Sequence, residues 1–238
     1  MERKITLKFD KMKKIGIIIF ARTSSKRFPK KVISLINKKK TLLEIIYDRV
    51  KKKSGKNVVI INTSTNKKDD KIISICKKRG IKFYRGDLEN VLSRTVRCCR
   101  KFKLDAFVRV NADRPFFDFD LMSKMINFYK KNNFDIITNQ LVKTCPKGLA
   151  CEIAKTQIFY KINKTSLTQD HKEHIFDYFY KHKKNYKIKN YEKKIYKKNK
   201  KLNLSIDFKK DLKFVENIYK KFNDNFLIET NKVLKKIN

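Results

Sequence analysis

The run Ala21-Arg22-Thr23-Ser24-Ser25-Lys26-Arg27-Phe28-Pro29-Lys30-Lys31 gathers two arginines, two serines and three lysines in eleven residues. Guanidinium forks and hydroxyl donors at this density suit a phosphate or carboxylate ligand. The run lacks the Gly-rich turn and the Gly-Lys-Ser/Thr ending of a Walker loop, and it lacks the spacing of a dinucleotide fingerprint. A solvated basic loop in a Lys-rich chain is the competing reading. Two carboxylates form the second candidate group. Asp113 and Asp207 each follow an apolar run, so both can converge at one sheet edge although 94 positions separate them. Such a pair suits Mg²⁺, which takes one or two protein carboxylates and leaves its other positions to substrate oxygens and water. The alternative is that each aspartate caps the helix that follows it.

The elements that must position these groups alternate along the chain. Ile15 to Phe20 is a continuous apolar run, as in a strand buried on both faces. Helical spacing follows over Thr41 to Lys53, a strand over Asn57 to Asn62 and a helix over Lys67 to Arg79, stopped by Gly80. Ile81 to Tyr84, Leu88 to Phe102 and Ala106 to Val110 continue the rhythm as strand, helix and strand, and Asp120 to Lys131 is again helical, with Asp135 to Thr138 extended. The pattern predicts an α/β fold with a mainly parallel sheet and its ligand at the carboxyl ends of the strands. Beyond Thr138 the rhythm breaks into an excursion. A loop from Lys143 leads into a strand near Lys155, a helix spans His174 to His182, and one or two Lys-rich strands cover Tyr186 to Tyr196. Leu202 to Ile206 is apolar at alternate positions, and Asp211 to Phe222 reads as a closing amphipathic helix. Residues 1–14 read as a basic extension with a second methionine at Met12, and 15–238 as one domain.

Composition narrows the partners. The chain has 238 residues and a formal charge of +39 at pH 7. That charge is large enough for nucleic-acid binding, but the abundance of Lys, Ile, Asn, Phe and Tyr has a duller cause, since all five have A/T-rich codons. Nucleic acid is therefore not the expected partner. All 11 arginines lie at or before Arg114, which points to planar, bidentate work in the N-terminal half that Lys cannot imitate. The apolar run at Ile15 falls well short of the roughly 20 residues that cross a bilayer. Five cysteines without metal-site spacing fit a reducing, cytoplasmic location, and Cys98 and Cys99 read as packing residues on a helix.

Read as A-R-x-x-S-x-R-x-P-x-K, the first loop resembles the signature of cytidylyltransferases that make CMP-activated acidic sugars. The likeness is to the spore-coat polysaccharide type, related to the acylneuraminate and 3-deoxy-octulosonate cytidylyltransferases. Further motifs stand in the same order: Ser64-Thr65-Asn66 with Asp69-Asp70, Tyr84-Arg85-Gly86-Asp87 with Asn90 to Arg94, and Val108-Arg109-Val110-Asn111-Ala112-Asp113-Arg114-Pro115. Pro146-Lys147-Gly148-Leu149 with Glu152, Asp170 to Tyr180, and Ile206-Asp207 with Asp211-Leu212 complete the set, covering roughly Ile15 to Tyr219.

The resemblance implies a three-layer, Rossmann-like nucleotide-diphospho-sugar transferase fold. It implies attack of a sugar hydroxyl on the α-phosphorus of CTP, with Arg22 and Lys31 on the phosphates and Ser25 and Arg27 assisting. Asp113 and Asp207 would bind Mg²⁺. Arg85, Gly86, Arg94 and Asn111 would contact the nucleotide, and Glu152, Glu173 and His174 an acidic sugar. Arg94 as a surface residue and His174 as a structural one are the plainer alternatives. A cytoplasmic homodimer is expected by the same analogy. Ser24, Lys30 and Ala112 stand where the family usually has glycine, Phe208-Lys209 replaces a Thr-Pro pair, and Asp177 replaces a proline. Each glycine replacement adds a Cβ near the expected phosphate path. A glycosyltransferase using a preformed nucleotide sugar and a non-enzymatic polyanion-binding protein are the rival functions.

Overall fold

The computed structural model describes residues 13–142 and 144–237. Most of the basic extension and Met12 therefore lie outside the described residues. The first strand, β1 (Ile15–Phe20), pairs in parallel with two neighbours: Ile18 sits in register with Ile60 on one side and Arg109 on the other. β2 (Leu35–Ile36) and β3 (Lys40–Thr41) form a small separate hairpin. The main sheet continues with β4 (Val58–Ser64), β5 (Lys82–Gly86), β6 (Ala106–Asn111), β7 (Ile136–Thr138), β8 (Glu152–Lys155) and β9 (Ile188–Asn190). Its strand order is β5-β4-β1-β6-β8-β7-β9, with only β8 antiparallel to its neighbours.

Helices cover both faces because β1 is apolar on both. Ile17 and Ile19 pack toward α1 (Leu42–Lys52), α2 (Asp70–Lys78) and α4 (Phe119–Lys130), while Ile18 packs toward α3 (Val91–Lys101) and α5 (Thr156–Ile162). The chain winds outward from β1 through β4 to β5, then returns to the other side of β1 as β6. Strand order thus reverses between β1 and β6, and a crevice opens at their carboxyl ends. The α/β expectation is met. Helix starts follow local chemistry: Thr41 and Glu44 form a reciprocal capping box on α1, and Asn90 and Asp118 cap α3 and α4 through their side chains.

The excursion departs from the expectation in three places. The expected helix over His174 to His182 is reduced to α7 (Asp177–Lys181), and a separate short helix, α6 (Gln169–Glu173), precedes it. Between them the consecutive residues Ile175 and Phe176 are both buried, and the chain breaks to bury both. Tyr186 to Tyr196 yields only the three-residue β9 before α8 (Lys194–Lys198), because Tyr196 turns inward to donate to Asp118 Oδ2 at 2.7 Å. Leu202 to Ile206 forms no strand and makes a single bridge, Lys147 to Asn203. The closing helix appears as α9 (Lys209–Lys220), followed by α10 (Thr230–Lys236).

The arginine expectation also needs correction. Arg49 is fully buried, and its guanidinium serves no anion. It donates to the carbonyls of Phe117, Phe226 and Ile228 and to Thr230 Oγ1, and stacks on Phe119. Arg114 likewise donates to the Ala150 carbonyl at 2.5 Å. Here arginine is kept for its fork of donors, which satisfies several buried carbonyls at once.

Candidate active site

A cavity of about 520 Å³ opens at the carboxyl ends of β1 and β6. The loop after β1 forms one wall, and one carboxylate shapes that loop. Asp69, wholly buried, accepts from the Thr23 amide and hydroxyl, both at 2.7 Å, and from the hydroxyls of Thr63 at 3.1 Å and Ser64 at 2.5 Å. Burial alone would raise its pKa, but the hydrogen bonds from Ser64, Thr23 and Thr63 outweigh it and hold the carboxyl below its usual value. A carboxylate with a depressed folded-state pKa stabilises the fold above its unfolded pKa of about 3.9 and loses that contribution as pH falls through the folded value. Urea unfolding should therefore show a stability gap between wild type and Asp69→Asn at pH 6 that narrows below pH 4. A gap independent of pH would refute the charged anchor.

Of the three glycine replacements, only Lys30 adopts a positive φ, 61°. It bears the left-handed strain a glycine would avoid, and its amide donates to the Thr23 carbonyl at 2.8 Å. Ala112 has its Cβ buried in the core and fits without such strain.

The loop ends at Lys31, whose ammonium is the centre of the site. Lys31 is 7% exposed, and its Nζ lies 2.6 Å from the Ile206 carbonyl, 3.0 Å from Asp113 Oδ2 and 3.8 Å from Asp207 Oδ1. The two aspartates thus face a single cation. A backbone bond from the Ile206 amide to the Asp113 carbonyl, 2.9 Å, locks their segments together. Asp207 does not cap α9: its carboxylate also meets Arg27 Nη2 at 2.6 Å and Lys147 Nζ at 2.5 Å. Asp211 takes the capping role instead, accepting from the Asp207 and Phe208 amides. Burial pushes the Asp207 carboxyl up, yet Lys147, Lys31 and Arg27 bring it below its ordinary value.

Lys147 was not among the expected site residues, though its motif stood out. Gly148 delivers it. With φ at 94°, Gly148 lets the backbone pass so close to Leu204 that an added Cβ would lie 2.6 Å from the Leu204 carbonyl carbon. We expect Gly148→Ala to cost about 2–3 kcal/mol through combined strain and overlap. Denaturant unfolding checks this, and an unchanged midpoint would contradict the close approach.

The remaining expected residues divide. Arg22, Ser25, Arg27, Arg94, Asn111, Asp113, Glu173 and His174 line the cavity with Lys31. Arg22 Nη2 bonds Glu173 Oε1 at 2.5 Å, which ties the β1 loop to the end of α6. His174 is half exposed, with Nε2 3.8 Å from Asp170 Oδ1. Arg94 is not a surface residue: it is 2% exposed, donates to the Asp87 carbonyl, and burial lowers its pKa to about 10, with Arg22 adding to the effect. Gly86 is required by Arg94, since a Cβ there would lie 2.8 Å from Arg94 Cγ. Arg85 points away, toward the carbonyls of Ser64 and Asn66 and the carboxylate of Asp70. The structure does not bring Arg85, Gly86 or Glu152 to the cavity wall, and Asp207 stands behind the wall, in contact with it through Lys31 and Arg27. Glu152 is 3% exposed and is engaged by Tyr180 and Arg109.

The sequence model of the family described as "Cytidylyltransferase" matches residues 16–236, and so takes in every group just described. The chain belongs to this cytidylyltransferase family. It is a nucleotidyltransferase, which sets aside the glycosyltransferase alternative. An uncharacterized protein of Methanocaldococcus jannaschii is 31% identical over 211 residues, covering 89% of this chain and 85% of that protein. The spore coat polysaccharide biosynthesis protein SpsF of Bacillus subtilis is 28% identical over 217 residues, 88% of each chain. A cytidylyltransferase structure from Leptospira borgpetersenii superimposes with a TM-score of 0.89 at 24% identity, over 94% of both chains. Among the described residues, no helix of this cytidylyltransferase is long and apolar enough to cross a membrane.

Proposed function

We propose that this cytidylyltransferase transfers CMP from CTP to an acidic sugar of the nonulosonic or octulosonic type, releasing pyrophosphate, in surface polysaccharide synthesis. Residues 15–238 act as one nucleotidyltransferase domain. The observation that carries the reading is the Lys31–Asp113 pair on the wall of an arginine-lined cavity, with Asp207 buried behind it against the same ammonium. The relation to SpsF supports the polysaccharide role. Five free cysteines support a reducing, cytoplasmic setting.

Lys31 and Arg22 hold the triphosphate. Arg22 exchanges its bond to Glu173 for a phosphate oxygen, which couples nucleotide entry to the α6 wall. Arg27 and Ser25 lie along the same loop, and Arg94 marks the nucleoside end of the cavity beyond β5. His174 stands exposed on the cavity wall, where it accepts the proton of the attacking sugar hydroxyl. Asp113 and Asp207 fit Mg²⁺: their oxygens already face one cation, and oxygen donors suit a hard ion. When bound, that ion neutralises charge developing on the phosphates. In-line positioning and charge neutralisation are the main demands of such a transfer.

Thermal unfolding in Mg²⁺ with each of the four NTPs tests the reading. CTP is expected to raise Tm well above the others, because a ligand that binds only the native state stabilises it by mass action. An equal response to all four, or no response, would overturn it.

A further inference from the structure

Arg109 is the cavity residue that neither the phosphates nor the paired aspartates claim. It projects from β6, on the face shared with Phe107 and Asn111, and sits directly opposite Glu152 of β8 in the sheet register. Nη1 lies 3.2 Å from Glu152 Oε2, and Nε donates to Asn111 Oδ1 at 3.3 Å. The guanidinium carbon stands 5.5 Å from the Phe176 ring centroid, so one face is covered. Nη2 makes no hydrogen bond among the described residues, and Arg109 lines the cavity. The planar group is held at Nε and Nη1 and left open at Nη2.

Its counter-ion is turned away from the cavity. Glu152 is 3% exposed, and its other oxygen accepts from the Tyr180 hydroxyl at 2.5 Å, which in turn bonds Thr138 Oγ1 at 2.9 Å. Glu152 therefore orients Arg109 and is itself sheltered from an incoming anion. The sheet order assigns this corner to one substrate. The phosphate loop leaves β1, and the nucleoside end lies toward β5 and Arg94. Arg109 lies on the opposite flank, on β6 beneath the α6–α7 break that carries His174 and Phe176.

We propose that Arg109 binds the carboxylate of the acceptor sugar through its open Nη2, with Glu152 and Phe176 fixing the guanidinium plane. Arg can offer that nitrogen while Nε and Nη1 keep their own partners, which the single ammonium of Lys cannot do. This rests on the acidic-sugar reading above and adds the residue that enforces it. Arg109 would select for a carboxylate, with His174 placed nearby for the attacking hydroxyl.

Pyrophosphate release from CTP is measured with N-acetylneuraminate and 3-deoxy-octulosonate, and with the C1 carboxamide of each, for wild type, Arg109→Gln and Arg109→Lys. Wild type should prefer the acid over its amide by about 100-fold in kcat/KM, the scale of one buried charged pair. Arg109→Gln should bring that preference to within about threefold, chiefly through acceptor KM, and Arg109→Lys should keep about tenfold of it. Both variants should retain the CTP-induced rise in Tm. If Arg109→Gln does not fold, Arg109→Lys decides the matter. A wild-type preference retained in both variants overturns the assignment while leaving the acidic-sugar reading intact. Loss of the CTP-induced shift in both places Arg109 on the nucleotide and also overturns it. If wild type responds to CTP but uses neither acid, the acidic-sugar reading falls, and this proposal falls with it.

Discussion

Replacing Asp113 with asparagine is expected to lower turnover on the order of 10³-fold, while the midpoint of thermal unfolding changes little. The two halves of this expectation have separate causes. The Asp113 side chain is 26% exposed, and its tie to Lys31 is one of three that hold the ammonium. Asparagine is nearly the same shape and keeps an acceptor for Lys31, so packing survives and the partly exposed ion pair contributes little to stability. Chemistry does not tolerate the exchange. In the proposed reading, the fixed negative charge beside Asp207 is what would let the pair serve a divalent cation, and an amide would be a poor ligand for it. Pyrophosphate release together with a thermal melt separates the two effects. A variant with wild-type turnover would remove Asp113 from the site, and one that melted far lower would make it a structural residue.

Lys31→Ala should damage both properties. Removing the ammonium leaves the Asp113 and Asp207 carboxylates and the Ile206 carbonyl facing one another. Arg27 and Lys147 still reach Asp207, so the loss is partial, at about 2–3 kcal/mol, below the range for fully buried pairs. Turnover should fall by about 10²- to 10³-fold as the phosphate contact disappears. The sign of the pH effect is diagnostic. Lys31 helps hold the Asp207 carboxyl below its ordinary value, so its removal gives up stabilisation that exists only while that carboxylate is charged. The stability deficit of the variant should therefore shrink as pH falls from 7 toward 4. A deficit that stayed constant would mean that Lys31 contributes packing rather than charge.

The sequence made the doubly wound part of this molecule legible because each of its strands is closed by a clear signal. The apolar run of β1 ends in Arg22, and α2 ends in Gly80. The apolar runs before Asp113 and Asp207 suggested that the two converge, but the reason differs: the run before Asp207 is no strand, and a backbone bond from the Ile206 amide to the Asp113 carbonyl joins the segments instead. Partner assignments within the site were not legible. Asp69 carries the hydrogen bonds that shape the loop after β1, but its motif shows only an acidic pair before a helix. Lys147 reaches Asp207 because Gly148 permits one close backbone pass, and no local pattern announces where a passing segment will lie. Glu152 and Arg109 pair across β8 and β6, a register that depends on β8 running antiparallel in an otherwise parallel sheet. The excursion misled for a compositional reason. In a segment dominated by Lys, isolated tyrosines mimic strand alternation, while the decisive facts are that Tyr196 reaches Asp118 and that Phe176 is buried at a helix break.

The Arg49 staple has a consequence for the order of folding. A guanidinium on α1 finds two of its carbonyl partners, Phe226 and Ile228, and its hydroxyl partner Thr230 between 177 and 181 positions further along the chain. Until that distant segment docks, the positive charge at the heart of the α1–α4 contact has no complete set of acceptors, and burying it so would be costly. The layer therefore closes only together with the segment that carries α10, which makes it a late rather than an early event in folding.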